Sequence, residues 1–400
     1  MKSLVTKNKI TDGGPSGLRR LLGAILLALA FYVPVNTASA HPSAGILDPA
    51  KPSHIALIQR FEKRLEQNPR DPTIAGHLVH YYLHRHQQES GQTWIDKAEA
   101  VLAPWEKTND MSSALLMERA NLHQRVHRFE LALKSIDQLL AKRPESAQAL
   151  LTRSTILTVL GRYEEAKEAN RALSKIASEH VVLANDCAID SLSGQAEISL
   201  DRLTTALATT NFPNSLRPWA YGIAGDIASR LERHSLAEAH YRAGLTLAPD
   251  DSYLMVALAD LYIDTARAPE VLLLIPEDTG HEGLRLKRIL ALPINQAKRA
   301  SETAALNAAL EAGHTDSHPH LREEAILALY LLDDPARALK CARANWANQR
   351  EPADLRIYIE ALDQHADTPE TQREHQNLET WFQQSGMEWS RIADALKQGR

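Results

Sequence analysis

The stretch LMERANLHQRVHRFELALKSIDQLLAKRP, residues 116–144, is followed by LLTRSTILTVLGRYEEAKEANRAL, residues 150–173, and the second repeats the first 34 positions later. In the first copy an apolar run extends through Ala120, a break falls at Val126-His127, and Phe129, Ala132, Ile136, Leu139 and Pro144 follow. In the second, Leu150, Ser154, Leu160-Gly161, Tyr163, Ala166, Asn170 and Leu173 take those places. Apolar residues three and four apart line one face of a helix, so each copy reads as two helices with a turn between them. One such pair is too short to bury its own apolar faces, and each must use the next pair as its core. Alanine at the crossings lets the axes approach, and a leucine or aromatic ring fills the space beside it. Pro144 and Pro249 end their helices.

Working outward, a third copy fits Tyr221, Gly225, Ala228, Leu231, Ala237, Tyr241 and Pro249, and a weaker one fits Leu183, Cys187, Gly194, Ser199, Leu203 and Ala206. Another begins at Asp251 with Ala257 to Tyr262, but lacks the glycine and alanine of the second helix. No segment from Ile55 to Ala395 shows the sustained alternation of a strand, so the chain is predicted to be all-α. The segment Gly161-Arg162-Tyr163-Glu164-Glu165-Ala166 resembles the start of the second helix of a tetratricopeptide repeat (TPR), a family whose period is also 34 residues. The resemblance covers about residues 72–265 and implies an α-solenoid, a right-handed superhelix of stacked antiparallel helix pairs.

Around this array the expected divisions are an address segment, 1–40, and an N-terminal extension with a first helix, 41–71. Residues 266–320, with Pro276, Gly280, Gly283, Pro293, Gly313 and Pro319, read as degenerate helices with long loops. Residues 321–400 read as a further helix pair (Leu329, Leu332, Ala338, Ala342) and capping helices carrying Trp381 and Trp389. In an elongated array only neighbouring repeats touch. Cys187 and Cys341, 154 positions apart, are then two small core residues and not a disulfide.

Lys2, Lys7, Lys9, Arg19 and Arg20 precede the apolar run Leu21 to Val33, and Ala38-Ser39-Ala40 follows Pro34. That order is a secretory signal peptide with cleavage after Ala40, and the run falls short of the roughly 20 apolar residues a span requires. Arg19-Arg20 leaves twin-arginine export open beside the general route; either leads out of the cytoplasm, and the periplasm is the expected destination. Removing the leader leaves 40 basic and 49 acidic residues and all 17 histidines. A net charge of −9 argues against nucleic acid or an anionic membrane as the main partner.

No phosphate-binding glycine loop, dinucleotide fingerprint, nucleophile elbow or Cys-x-x-Cys pair is present, so the chain is not read as an enzyme. The resemblance implies a binding scaffold for a protein or peptide, of undetermined oligomeric state, in envelope assembly, secretion or cofactor maturation. The expected groove residues are Met117, Asn121 and Gln124, then Gln148, Leu151 and Thr155, then Trp219, Asp226, Tyr253 and Asp260. A groove this neutral suits an extended or helical peptide read by hydrogen bonds and apolar pockets.

With a three-residue insertion at Glu89-Ser90-Gly91-Gln92, the resemblance adds His77, His80 and His84 to that groove. Their spacing sets them on one helical stripe, with His86 close by. Imidazoles so placed suit zinc, copper or nickel; otherwise no cofactor is expected. The stripe therefore reads either as a metal station, the alternative function, or as a neutral polar face. Weaker candidates are the loop histidines His314, His318 and His320, the pair His123 and His127, and His41 as a new amino terminus.

Overall fold

The computed structural model describes residues 52–89, 92–106, 108, 110–313 and 320–398. The expected signal peptide, its cleavage point, His41, His314 and His318 lie outside the described residues. Among those described there are twenty helices and no strand, and no helix is long and apolar enough to cross a membrane.

After α1 (Pro52–Gln67), the helices alternate as first and second members of pairs. The N-terminal pairs are α2 (Pro72–Glu89) with α3 (Gln92–Glu106), α4 (Ser113–Arg125) with α5 (Phe129–Lys142), and α6 (Ala147–Val159) with α7 (Tyr163–Leu173). The central pairs are α8 (Glu179–Asp190) with α9 (Ala196–Leu207), α10 (Arg217–Arg230) with α11 (His234–Leu247), and α12 (Ser252–Asp264) with α13 (Ala268–Leu274). Next come α14 (Glu282–Ala291) with α15 (Ala297–Gly313), α16 (Leu321–Tyr330) with α17 (Pro335–Asn348), and α18 (Pro352–Asp363) with α19 (Pro369–Ser385). The last helix is α20 (Ser390–Gln398). From α6 to α18 each first helix packs on the next first helix, the stacking that the 34-residue period implies. The fold is thus the tetratricopeptide-like array of stacked helix pairs. Stacking continues through 266–320, where Pro276 and Gly280 separate α13 from α14, and Pro293 separates α14 from α15.

Local chemistry sets the ends of these helices. Ser112, Ser146 and Asp251 cap α4, α6 and α12, each side chain accepting from the amide three residues on at 3.0–3.4 Å. The turn inside a pair uses one left-handed residue: His127, Gly161, Gly194, Glu232, Ala266 and Asp333 all have φ between 55° and 90°. Only two of the six are glycine, and the others adopt this conformation at about 1–2 kcal/mol each. Where an arginine follows, it reaches back to a glutamate on the preceding second helix. Arg128 pairs with Glu99 at 3.0 Å, Arg162 with Glu130 at 3.5 Å and Arg267 with Glu238 at 2.5 Å, and Arg233 pairs with Glu197.

The small residues of the repeat, Ala120, Ala132, Ser154, Ala166, Ala228 and Ala237, are fully buried at the crossings. At Gly225 an added Cβ would stand 2.3 Å from Tyr241 Cε1, so α10 and α11 approach as closely as they do only because no side chain is there. Cys187 and Cys341 are free, buried, and in different cores.

One expectation is overturned. Non-neighbouring repeats do touch: Phe129, Leu133, Ile156 and Val159 of the early pairs share a core with Leu355, Ile359, Phe382, Trp389, Ile392 and Leu396 of the last. The physical reason is the apolar face of the last helices, which the chain buries by folding back on its own middle.

Candidate partner-binding groove

The expected groove residues divide by depth along the first helices. Near the N-terminal ends, Met117, Gln148, Trp219 and Tyr253 are half-buried, as is Asn121 in the middle of α4. Further along, Leu151 and Thr155 are buried in α6, as are Gln124 at the end of α4, Asp226 in α10 and Asp260 in α12. At Asp226 the C-terminal segment supplies part of the cover, with Pro352 and Glu351 beside it.

That segment rests on the row of turns. His127 Nδ1 lies 2.6 Å from Gln349 Oε1, and the Arg350 amide donates to the Val159 carbonyl at 2.7 Å. A Cβ on Gly161 would be 3.2 Å from the Trp381 ring, and one on Gly194 would be 3.4 Å from the Gly386 carbonyl. Glu388 accepts from the Ala196 amide at 2.9 Å, and Ser390 donates to Glu232 at 2.7 Å. At the end of α12, Arg356 holds Asp264 with two bonds of 2.9 and 3.0 Å, and Arg391 approaches the same carboxylate at 3.5 Å.

Beneath this cover lie ionisable groups. Asp226 accepts from the Tyr241 hydroxyl at 2.8 Å and from the Tyr253 hydroxyl. Burial pushes its carboxyl up to about 7, against the opposing effect of those two donors. Asp260 pairs with Lys287 at 2.7 Å, both buried. Burial raises Asp264 to about 6 despite Arg356, and raises Glu360 as well. Arg322 of α16 binds Glu351 and Asp354 of α18, the latter at 2.6 Å.

The histidines take several roles. His77 stacks on Phe61 with ring centroids 5.6 Å apart. His80 Nδ1 lies 3.5 Å from Glu118 Oε1, and that carboxylate raises the imidazole above its ordinary range. His84 and His86, on the same helix, are half-buried. Burial lowers His123 to about 4 and also lowers His127, while His320 lies 3.6 Å from Glu282. Among the described residues no group of three or more histidine, cysteine or carboxylate side chains is arranged to hold a metal ion.

The residues that close the groove were not legible as such. Gln349, Glu351, Arg356 and Glu360 fall in a stretch whose charges look solvated, and the partners of Gln349 and Arg356 in the array, His127 and Asp264, are 222 and 92 positions away. The tryptophans 381 and 389 were the available signal; they mark a capping surface, which here covers the middle of the array.

No protein-family model matches the chain, and no curated relative matches it. Among solved structures it is similar to a Rap protein complexed with Competence and Sporulation Factor, with 14% identity over 87% of this chain and 94% of that one, at a TM-score of 0.48. It is similar to PilW, a type IV pilus biogenesis factor, with 18% identity over 59% of this chain and 93% of that one, at 0.33. It is also similar to a tetratricopeptide repeat protein from Parabacteroides merdae ATCC 43184, with 13% identity over 77% and 92%, at 0.26. Likenesses this distant carry no argument about function.

Proposed function

We propose that this chain is an exported scaffold that binds a partner polypeptide along the N-terminal halves of its first helices. One observation carries the reading: the fold-back leaves Met117, Gln148, Trp219 and Tyr253 half-buried on stacked helices, while the deeper groove is filled. A thioether, an amide and two aromatic rings offer apolar contact and hydrogen bonding with no net charge, a surface suited to a peptide backbone and its apolar side chains. The basic and apolar leader of residues 1–40 supports an extracytoplasmic location, with the periplasm as the compartment.

The test is positional photo-crosslinking in the envelope of living cells. A cross-linkable residue at Gln148 or Asn121 is expected to trap one defined partner. The same residue at Ile198, which is exposed on α9, is expected to trap none. Equal capture from both places, or persistence of the adduct after Trp219→Ala with Met117→Ala, overturns the reading. Titrating the purified protein with copper, nickel and zinc separates it from use of His77, His80, His84 and His86 as a metal station. Binding tighter than roughly micromolar, lost in His80→Ala, would support the metal role.

A further inference from the structure

The seam between the C-terminal helices and the central first helices holds buried and half-buried carboxyl groups. Asp226 faces two tyrosine hydroxyls, from α11 and α12, with Arg230 on its own helix and Glu351 at the start of α18. The nearest cation to Glu351, Arg322, is shared with Asp354. Arg230 donates to the Ser191 hydroxyl at 2.7 Å and to the Ser191 carbonyl at 3.4 Å, so it is only partly directed at Asp226.

The second half of the seam repeats this arrangement. Asp264 meets Arg356 of α18 and Arg391 of α20, with Asp260 on its own helix. Arg356 must also serve Glu360, which receives the Tyr330 hydroxyl from α16 and has Asp363 on its own helix. Lys287 of α14 is taken by Asp260 at 2.7 Å. Arg350 stands with Arg230 and Glu351 around the Tyr163 hydroxyl, and His375 lies 3.1 Å from Asp363, so the seam's charges are largely matched except at Asp226, whose direct partners are two tyrosine hydroxyls.

We propose that the fold-back is a proton-operated closure, in which the C-terminal helices α18–α20 seat on the central repeats with Asp226 and Glu360, the seam carboxyls that receive tyrosine hydroxyls, protonated, and release as those two ionise. The direction follows from linkage. Burial raises Asp226 to about 7 and raises Glu360 as well, whereas in the released form both regain water and the ordinary carboxylate range. The closed form therefore binds protons more tightly, so closure is favoured at low pH and weakens as pH rises through those values. Opening would uncover Asp226, beside which Pro352 and Glu351 lie in the closed form, and would extend the half-exposed strip near Tyr253. This closure does not depend on the proposed partner role and is tested without a partner.

The experiment is hydrogen exchange read by mass spectrometry on the mature protein at about pH 5.5 and about pH 8.5, corrected for intrinsic exchange, since opening strips protection from the seam. Protection of α18, α20 and the C-terminal half of α10 is expected to fall by at least about tenfold at the higher pH, while α2–α5 keep theirs. Asp226→Asn, and independently Glu360→Gln, keep the hydrogen-bonding shape without the charge and are expected to shrink that change. Equal protection at both pH values overturns the proposal. So does a uniform loss across all helices, or an unaltered pH response in both variants.

Discussion

At Gly225 the requirement is a bare backbone. Gly225→Ala sets a methyl group 2.3 Å from the Tyr241 ring, which must move and take its hydroxyl away from Asp226. Overpacking of this kind costs about 1–3 kcal/mol, and urea unfolding is expected to show a loss at least that large. Ala266 is the opposite case. It adopts φ 57° without being glycine, so Ala266→Gly relieves backbone strain worth about 1 kcal/mol, less what the freer unfolded chain gains. A small rise in the unfolding midpoint is expected, and a fall would mean that the Ala266 methyl group has packing value of its own. His80 offers a titration. The Glu118 carboxylate raises its imidazole, so the stabilisation is complete below the ordinary histidine value and disappears as pH rises through the shifted one. Glu118→Gln is expected to bring the His80 titration, followed by NMR, back down; an unmoved midpoint would assign the shift to another group.

Among the elements, the arginines after the left-handed turns tie each second helix to the one before it. The pairs are partly exposed, so solvent screening holds each to well under 1 kcal/mol. Arg267→Ala is accordingly expected to lower the melting temperature by only a degree or two, and by less still in about 1 M salt. A loss of several degrees would show that Arg267, stacked 4.5 Å over the Tyr262 ring, contributes through packing instead. The helices themselves were legible because their signals are local. The small residues Ala120, Ser154 and Ala166 and the turn at Gly161 recur at a fixed interval, each set by neighbours within a few positions. The stretch after Ala266 lacks that interval and reads as degenerate helices with long loops; its helices are held by contacts such as Arg288 to the Leu272 and Ile275 carbonyls. The candidate groove was legible in half. Met117, Gln148, Trp219 and Tyr253 remain partly accessible, while Pro352 and Glu351, which lie beside Asp226, come from the far end of the chain. His127 and Gln349 are 222 positions apart, and no period connects them.

At the scale of the whole molecule the fold-back alters how stability is shared. A linear repeat array behaves as a chain of nearest-neighbour interfaces and frays from its ends. Here the last helices share a core with α5–α8 and pair with the turns of α8, α10 and α12, so the C-terminus is a cross-brace. Ile392→Ala separates the two behaviours. Ile392 is buried in that shared core, and removing it costs about 2–5 kcal/mol. If repeats acted only on their neighbours, hydrogen exchange would accelerate in α18–α20 and nowhere else. The shared core instead predicts acceleration in α6, α8 and the turn at Gly194 as well, with α2 and α3 unchanged because their core is a separate one. An effect confined to the last three helices would reduce the brace to a terminal cap.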